Sequence, residues 1–161
     1  MKKNIVLTGL LALTIACSMQ ASVFAAGDSK TVAKQVQKPI NATSLSVVAN
    51  PYKYLNKTVK MQATFDKFST LGLDYSKALR KSSEYIGILI QRDDVSDHNI
   101  PLSEMKLFLK KDLAEKHIEL DTGDKIEIVA KVFSTALNDP WLDVQSISVI
   151  KKVSKEENKD K

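Results

Sequence analysis

Two stretches of this 161-residue chain offer aromatic rings, one of them beside positive charge, and together rings and cations can stack a planar ligand and pair with its phosphates. The first, Lys67 to Ser83, carries Phe68, Leu71, Leu73, Tyr75, Arg80 and Lys81, and it ends beside Tyr85. The second, Thr135-Ala-Leu-Asn-Asp-Pro-Trp141, carries Asn138 and the single tryptophan, Trp141. Phe68, Tyr75, Arg80, Lys81, Tyr85, Asn138 and Trp141 are the candidate ligand-binding residues. A plainer reading stands beside that one. Apolar side chains in a long loop form a satellite core, and a tryptophan at the mouth of a strand plugs what lies beneath it.

Other groups that could do chemistry are few. Arg92-Asp-Asp-Val-Ser-Asp-His98 gathers three carboxylates and an imidazole, and oxygen-rich loops of this kind can hold calcium. Its spacing fits no EF-hand and it has no glycine at the turn, so a surface loop is the expectation. His98 and His117 are the only histidines. A catalytic use would make His98 a base, oriented by Asp94 or Asp97 and acting on Ser103, but no nucleophile-elbow spacing supports it. His117 falls on a helical face with Leu113 and Leu120, the place of a partly buried structural histidine. The glycines are nowhere paired, so no phosphate-cradling loop is present. The sequence therefore predicts a protein that is not an enzyme and that uses neither a cofactor nor a metal.

The first 25 residues read as a secretory signal: Lys2 and Lys3, an apolar run from Ile5 to Ala16, and Val23-Phe24-Ala25 before Ala26 as the cleavage site. Cys17, the only cysteine, lies inside it. Leu13-Thr-Ile-Ala-Cys17 partly resembles a lipobox, with Thr14 where that motif has Leu, Val or Ile. Ordinary cleavage near Ala25 is preferred over a lipoprotein. Export to a periplasm or to the medium, with no disulfide, suits a bacterial envelope. No later apolar run reaches the length of a membrane-spanning helix. Without the signal the chain carries 22 basic and 19 acidic residues. Its excess sits at the two ends, in 27–39 and 151–161, while Ile40 to Ile150 holds 14 basic and 15 acidic residues. A basic tail is usually a solvated one, and nucleic-acid binding needs positive charge on a structured face. The expected organisation is a signal over 1–25, a flexible leader over 26–39, one domain over 40–152 and a charged disordered tail over 153–161.

The elements that must hold these loops are mostly strands. Thr58 to Asp66 alternates, with Val59, Met61, Ala63 and Phe65 on one face. Lys125 to Ser134 does the same with Ile126, Ile128, Ala130 and Val132. Tyr85 to Gln91 is an apolar run in which Gly87 predicts a bulge or bend. In Trp141 to Ile150 the apolar phase slips between Val144 and Ile147, which predicts a bulge at Gln145 or Ser146. Thr43 or Ser44 can cap a short helix that stops before Pro51. Asp112 and Glu115 can close a capping box on a helix over 112–120, leaving Lys106 to Lys110 as the strand before it.

The fold class is mainly β with one or two short helices: strand, long loop, strand, loop, strand, helix, strand, short loop, strand. A helix between the third and fourth of five strands resembles the OB-fold, a five-stranded Greek-key barrel. Asn50-Pro-Tyr-Lys-Tyr-Leu-Asn-Lys-Thr-Val59 and Gly123-Asp-Lys-Ile-Glu-Ile-Val-Ala130 are similar to the lead-in and fourth strand of small exported bacterial OB-fold proteins. That resemblance covers about 50–150 and is structural. It implies a binding surface on strands two and three, flanked by the loops 67–83 and 135–141. The expected function is an envelope binding module for a protein, peptide or glycan. The alternatives are a single-stranded nucleic-acid binder and a purely structural or interaction protein.

Overall fold

The computed structural model describes residues 38–70, 72–95 and 100–153, which belong to a compact unit spanning Gln35–Lys161. Residues 1–37 and 154–161, on which the expected signal, nearly all of the expected leader and most of the expected tail fall, lie outside the described residues, as do Leu71, Asp97 and His98. The elements are β1 (Ile40–Asn41), α1 (Ser44–Ala49), α2 (Pro51–Tyr54), β2 (Thr58–Ser69), β3 (Tyr85–Ile90), β4 (Lys106–Lys110), α3 (Lys111–Glu115), β5 (Lys125–Ser134), a 3-10 turn (Ala136–Asn138) and β6 (Trp141–Lys151). The class is mainly β, with six strands rather than five.

The strand order is β1-β2-β3-β4-β6-β5, and β2 pairs with β5 as well as with β3. Five strands thus form a ring of pairings in which each has two neighbours. β2 makes the ring possible by its length. Its first half, Thr58 to Thr64, pairs with β5, and its second half, Phe65 to Ser69, pairs with β3. A register shift between Phe65 and Lys67 turns the strand from one partner to the other, as bulges do. The added strand, β1, pairs in parallel with β2 through Ile40 and Asn41. Two residues carry no period, so the alternation that marks the other strands could not mark this one.

The inward faces follow the alternation. Val59, Met61, Ala63 and Phe65 meet Ile126, Ile128, Ala130 and Val132 in the main core, all buried. β6 carries the predicted slip: Val144 pairs with Ala130 and Ser146 with Val129, so Gln145 is the bulged residue. Two expectations fail. Gly87 makes no bulge; it pairs in register with Ser69 on one side and Phe108 on the other. The helix after β4 is α3, five residues long, with Lys110 at its N-cap and no side-chain cap. Asp112 falls inside its first turn, too late to cap, and 116–119 continue as turns. At the other helix the expectation holds, because Thr43 and Ser46 exchange a capping box and α1 ends at Ala49. Pro51 then starts α2 at its first position, where a missing N–H costs nothing.

Candidate functional site

β4 contains Leu107, Phe108 and Leu109, all buried. Alternation sends Leu107 and Leu109 into the main core and Phe108 to the opposite face. There Phe108 forms a second cluster with Trp141 and Ala78, against which Leu73, Tyr85, Phe133 and Ala136 pack. The rings are close. The centroids of Phe108 and Trp141 lie 5.8 Å apart, those of Phe108 and Phe133 6.4 Å, and Tyr75 stacks on Trp141 at 5.4 Å. Trp141 Nε1 donates to the Ala136 carbonyl at 2.8 Å. With its one polar atom satisfied, Trp141 is 2% exposed.

Loop 72–84 is the cover of this face. Its backbone reaches Phe108 at Gly72, where a Cβ would touch Phe108 Cζ at 3.5 Å in a left-handed conformation (φ 80°). Arg80 fixes the loop to β6. Its Nε donates to Asp143 Oδ1 at 2.7 Å and its second terminal nitrogen to Asp143 Oδ2. The guanidinium carbon lies 4.2 Å from the centroid of the Phe133 ring and 5.3 Å from that of Tyr85. The Asp143 hydrogen bonds raise the Arg80 pKa further, against the opposing effect of burial.

The predicted site residues therefore divide. Tyr75, Arg80, Tyr85 and Trp141 come together, but as a packed cluster with an internal ion pair. Arg80 is spent on Asp143 and Trp141 is buried, so neither is a free ligand contact. Phe68 is not with them; it meets Phe65 edge-on at 5.3 Å, beside the main core. Lys81 and Asn138 are exposed. Asp143, Phe108 and Phe133 were missed. A signal existed for two of them. The unbroken Leu-Phe-Leu of β4 implies that both strand faces are covered, and Phe133 falls on the outward phase of β5. Nothing local announces that Asp143 serves an arginine 63 residues away.

Next to the ion pair the surface opens. β4 and β6 pair in parallel only from Lys106 with Trp141 to Phe108 with Asp143. Beyond that, β4 ends in α3 and β6 bulges at Gln145, so the two diverge. A groove of about 390 Å³ lies between them. Tyr85, Lys110, Asp112, Lys116, Asp143 and Gln145 supply its polar groups, and Leu113 and Val144 its apolar walls. Tyr85 is the one predicted site residue in it.

The other candidates are accounted for locally. Arg92 donates to Asp94 Oδ1 and Oδ2, both at 3.0 Å, and to Glu104 Oε1 at 2.7 Å. Both carboxylates are held below their ordinary pKa by those hydrogen bonds. Among the described residues no three His, Cys, Asp or Glu side chains come together as a metal site. Ser103 Oγ lies 3.5 Å from Glu104 Oε2, while its proposed base, His98, is outside the described residues. Burial, and then Lys116, push the His117 pKa down.

The fold and the site thus define a mainly β protein whose ring of five strands carries an aromatic face under its own loop, with a groove alongside. No protein-family model matches the chain, and no curated protein matches it. Solved structures that resemble it include asparaginyl-tRNA synthetase from Pyrococcus horikoshii, at 14% identity and a TM-score of 0.45 over 70% of this chain and 23% of that one. The asparaginyl-tRNA synthetase of Entamoeba histolytica resembles it at 12% identity and a TM-score of 0.42, over 77% of this chain and 27% of that one. The chain spans about a quarter of the length of these enzymes. No helix among the described residues is long and apolar enough to cross a membrane.

Proposed function

We propose that this chain is a binding module on an OB-type barrel, without catalytic chemistry, that takes a peptide or glycan in the groove between β6 and α3. The barrel reading is supported by the ring order and by α3 between the third and fourth strands of the ring. The observation that carries the ligand reading is the groove. Its volume lies within the range of small-ligand sites. A phenol, an amide, the Asp112 carboxylate and two ammonium groups line it beside the apolar Leu113 and Val144, the mixture that hydrogen-bonds hydroxyls and amides while holding carbon against carbon. On the reading of 1–25 as a signal peptide, the module works in a bacterial envelope.

A second reading, single-stranded nucleic acid, is favoured by Lys110 and Lys116 in the groove and by exposed Lys81. Two features weigh against it. The large rings are packed rather than offered for stacking, and Asp112 faces any phosphate that enters. Trp141 fluorescence is the natural readout, because Asp143 lines the groove two residues away. Titrating the full chain with cell-wall oligosaccharides or peptides is expected to give a saturable change that persists at moderate salt and is lost in Gln145→Ala. Saturation with an oligonucleotide alone, lost as salt rises, would replace the first reading with the second.

A further inference from the structure

We propose that loop 72–84 and the turn between β5 and β6 dock this protein on an anionic bilayer, with Leu79 and Leu137 entering its interface and Lys77 and Lys81 pairing with its phosphates. This surface is separate from the groove and does not depend on it. Leu79 is 78% exposed and Leu137 74%. Both have positive φ, 52° and 59°, a region that a bulky side chain rarely adopts. Backbone strain that burial does not offset is concentrated at functional sites. Each leucine also follows an alanine seated on one aromatic cluster. Ala78 is buried with Phe108 and Trp141, and Ala136 packs against them from the β5–β6 turn. The two leucines therefore stand at the rim of the same rigid cluster, facing solvent.

Hydrogen bonds hold both leucines out. Ala78 N–H donates to the Tyr75 carbonyl at 2.8 Å, Asp74 N–H to the Arg80 carbonyl at 2.9 Å, and Arg80 Nη1 to the Leu79 carbonyl at 2.9 Å. In the other turn Asn138 N–H donates to the Thr135 carbonyl at 3.1 Å and Asp139 N–H to the Ala136 carbonyl at 3.2 Å. Little freedom is left to lose on insertion. Charge says what the leucines meet. Lys77 and Lys81 flank Leu79 at two residues on either side, both exposed, and neither is in an ion pair among the described residues. The nearby carboxylates are engaged: Asp139 with Lys106 at 3.4 Å, Asp143 with Arg80, and Asp74 with the Ser82 amide at 3.0 Å. Glu84 stands at the foot of the loop, where its carbonyl accepts from Lys111 N–H at 3.0 Å. Exposed leucine between free ammonium groups matches the boundary of acyl chains and anionic headgroups. In a twofold pairing of two copies through Leu79 the lysines would face their own counterparts, which opposes a dimer.

Trp141 reports on this surface, because Leu137 lies four residues away and Tyr75 of the loop stacks on its ring. The full chain is mixed with vesicles of phosphatidylglycerol and phosphatidylcholine in equal parts, with or without bromine on the upper acyl carbons. Docking is expected to quench Trp141 in the brominated vesicles, and far less when phosphatidylcholine is the only lipid. Leu79→Asn and Leu137→Asn should each raise the lipid concentration for half-maximal quenching about tenfold. Lys77→Gln and Lys81→Gln should each raise it about fivefold. Asn accepts positive φ more readily than Leu, so the leucine variants should melt no lower than the unsubstituted chain. The lysine variants, on exposed side chains, test the same surface should a leucine variant melt lower. Vesicle-bound chain with unquenched Trp141 would overturn the proposal; adsorption through the first 25 residues or through 27–39 and 151–161 would give that result. Equal quenching without phosphatidylglycerol, or half-maximal concentrations unchanged in the variants, would also overturn it. A dimer lost in the leucine variants, with no quenching by lipid, would assign the leucines to a second copy instead.

Discussion

Asp124 closes the end of the ring with one carboxylate. Its side chain is 0% exposed. It accepts from the Asp121 amide at 2.9 Å, the Val153 amide at 2.8 Å and Lys152 Nζ at 2.8 Å. Burial by itself pushes its pKa up, but Lys152 and the two amides outweigh burial and hold it below the ordinary carboxylate value. A depressed folded pKa means that the contribution is fully present above the unfolded value of about 4 and is lost as pH falls through the folded one. Asp124→Ala is expected to cost about 2 kcal/mol at neutral pH and to flatten the stability curve below about pH 4. Urea titrations at several pH values check both. Trp141→Ala tests the packing role directly. Truncating a buried indole in a packed cluster should cost about 3–5 kcal/mol in thermal or urea unfolding, whereas a tryptophan offered to a ligand could be removed with little loss of stability.

At the scale of elements, the turn between β5 and β6 places two adjacent residues in a strained backbone conformation. Leu137 and Asn138 both have positive φ, 59° and 63°, the left-handed region that Gly and Asn adopt most easily. Asn138 suits its position. Leu137 does not, and its side chain is 74% exposed, so little packing offsets the steric cost. Leu137→Asn is therefore expected to stabilise by about 0.5–1 kcal/mol, a rise of a few degrees in melting temperature. A fall on scanning calorimetry would show that the exposed leucine makes a contact that matters. Legibility in the sequence follows the same physics. β2, β5 and the slip in β6 were readable because one face is buried and the period is two. Gly87 misled because a glycine can mark close packing as well as a bulge; its cross-strand partner is the large Phe108. α3 was overextended because Leu113, His117 and Leu120 keep a helical spacing across turns that are not helix.

At the scale of the molecule, the site was half legible. Aromatic and cationic residues of loops 67–83 and 135–141 do meet, but sequence alone could not say that Arg80 would be neutralised by an aspartate on the last strand. That pairing removes one cation from a body already balanced, with 14 basic and 15 acidic residues between Ile40 and Ile150. Net positive charge stands in the flanks, where 27–39 and 151–161 each contribute two. Any non-specific affinity for polyanions should therefore belong to those flanks. For single strands, the slope of log K against log salt is about −0.7 per neutralised phosphate. The chain carrying both flanks should bind an oligonucleotide with a slope of about −2, corresponding to roughly three phosphates. With Lys30, Lys34, Lys38, Lys151, Lys155, Lys159 and Lys161 replaced by Gln, it should keep its far-ultraviolet circular dichroism and lose nearly all of that binding. A protein so neutralised that still binds with an undiminished slope would place the phosphate contacts on Lys110, Lys116 and Lys81. The groove would then have to be read as a nucleic-acid channel. Loss of the slope together with retained oligosaccharide or peptide binding would separate the two surfaces: charged flanks that attract polyanions without selectivity, and a selective site between β6 and α3.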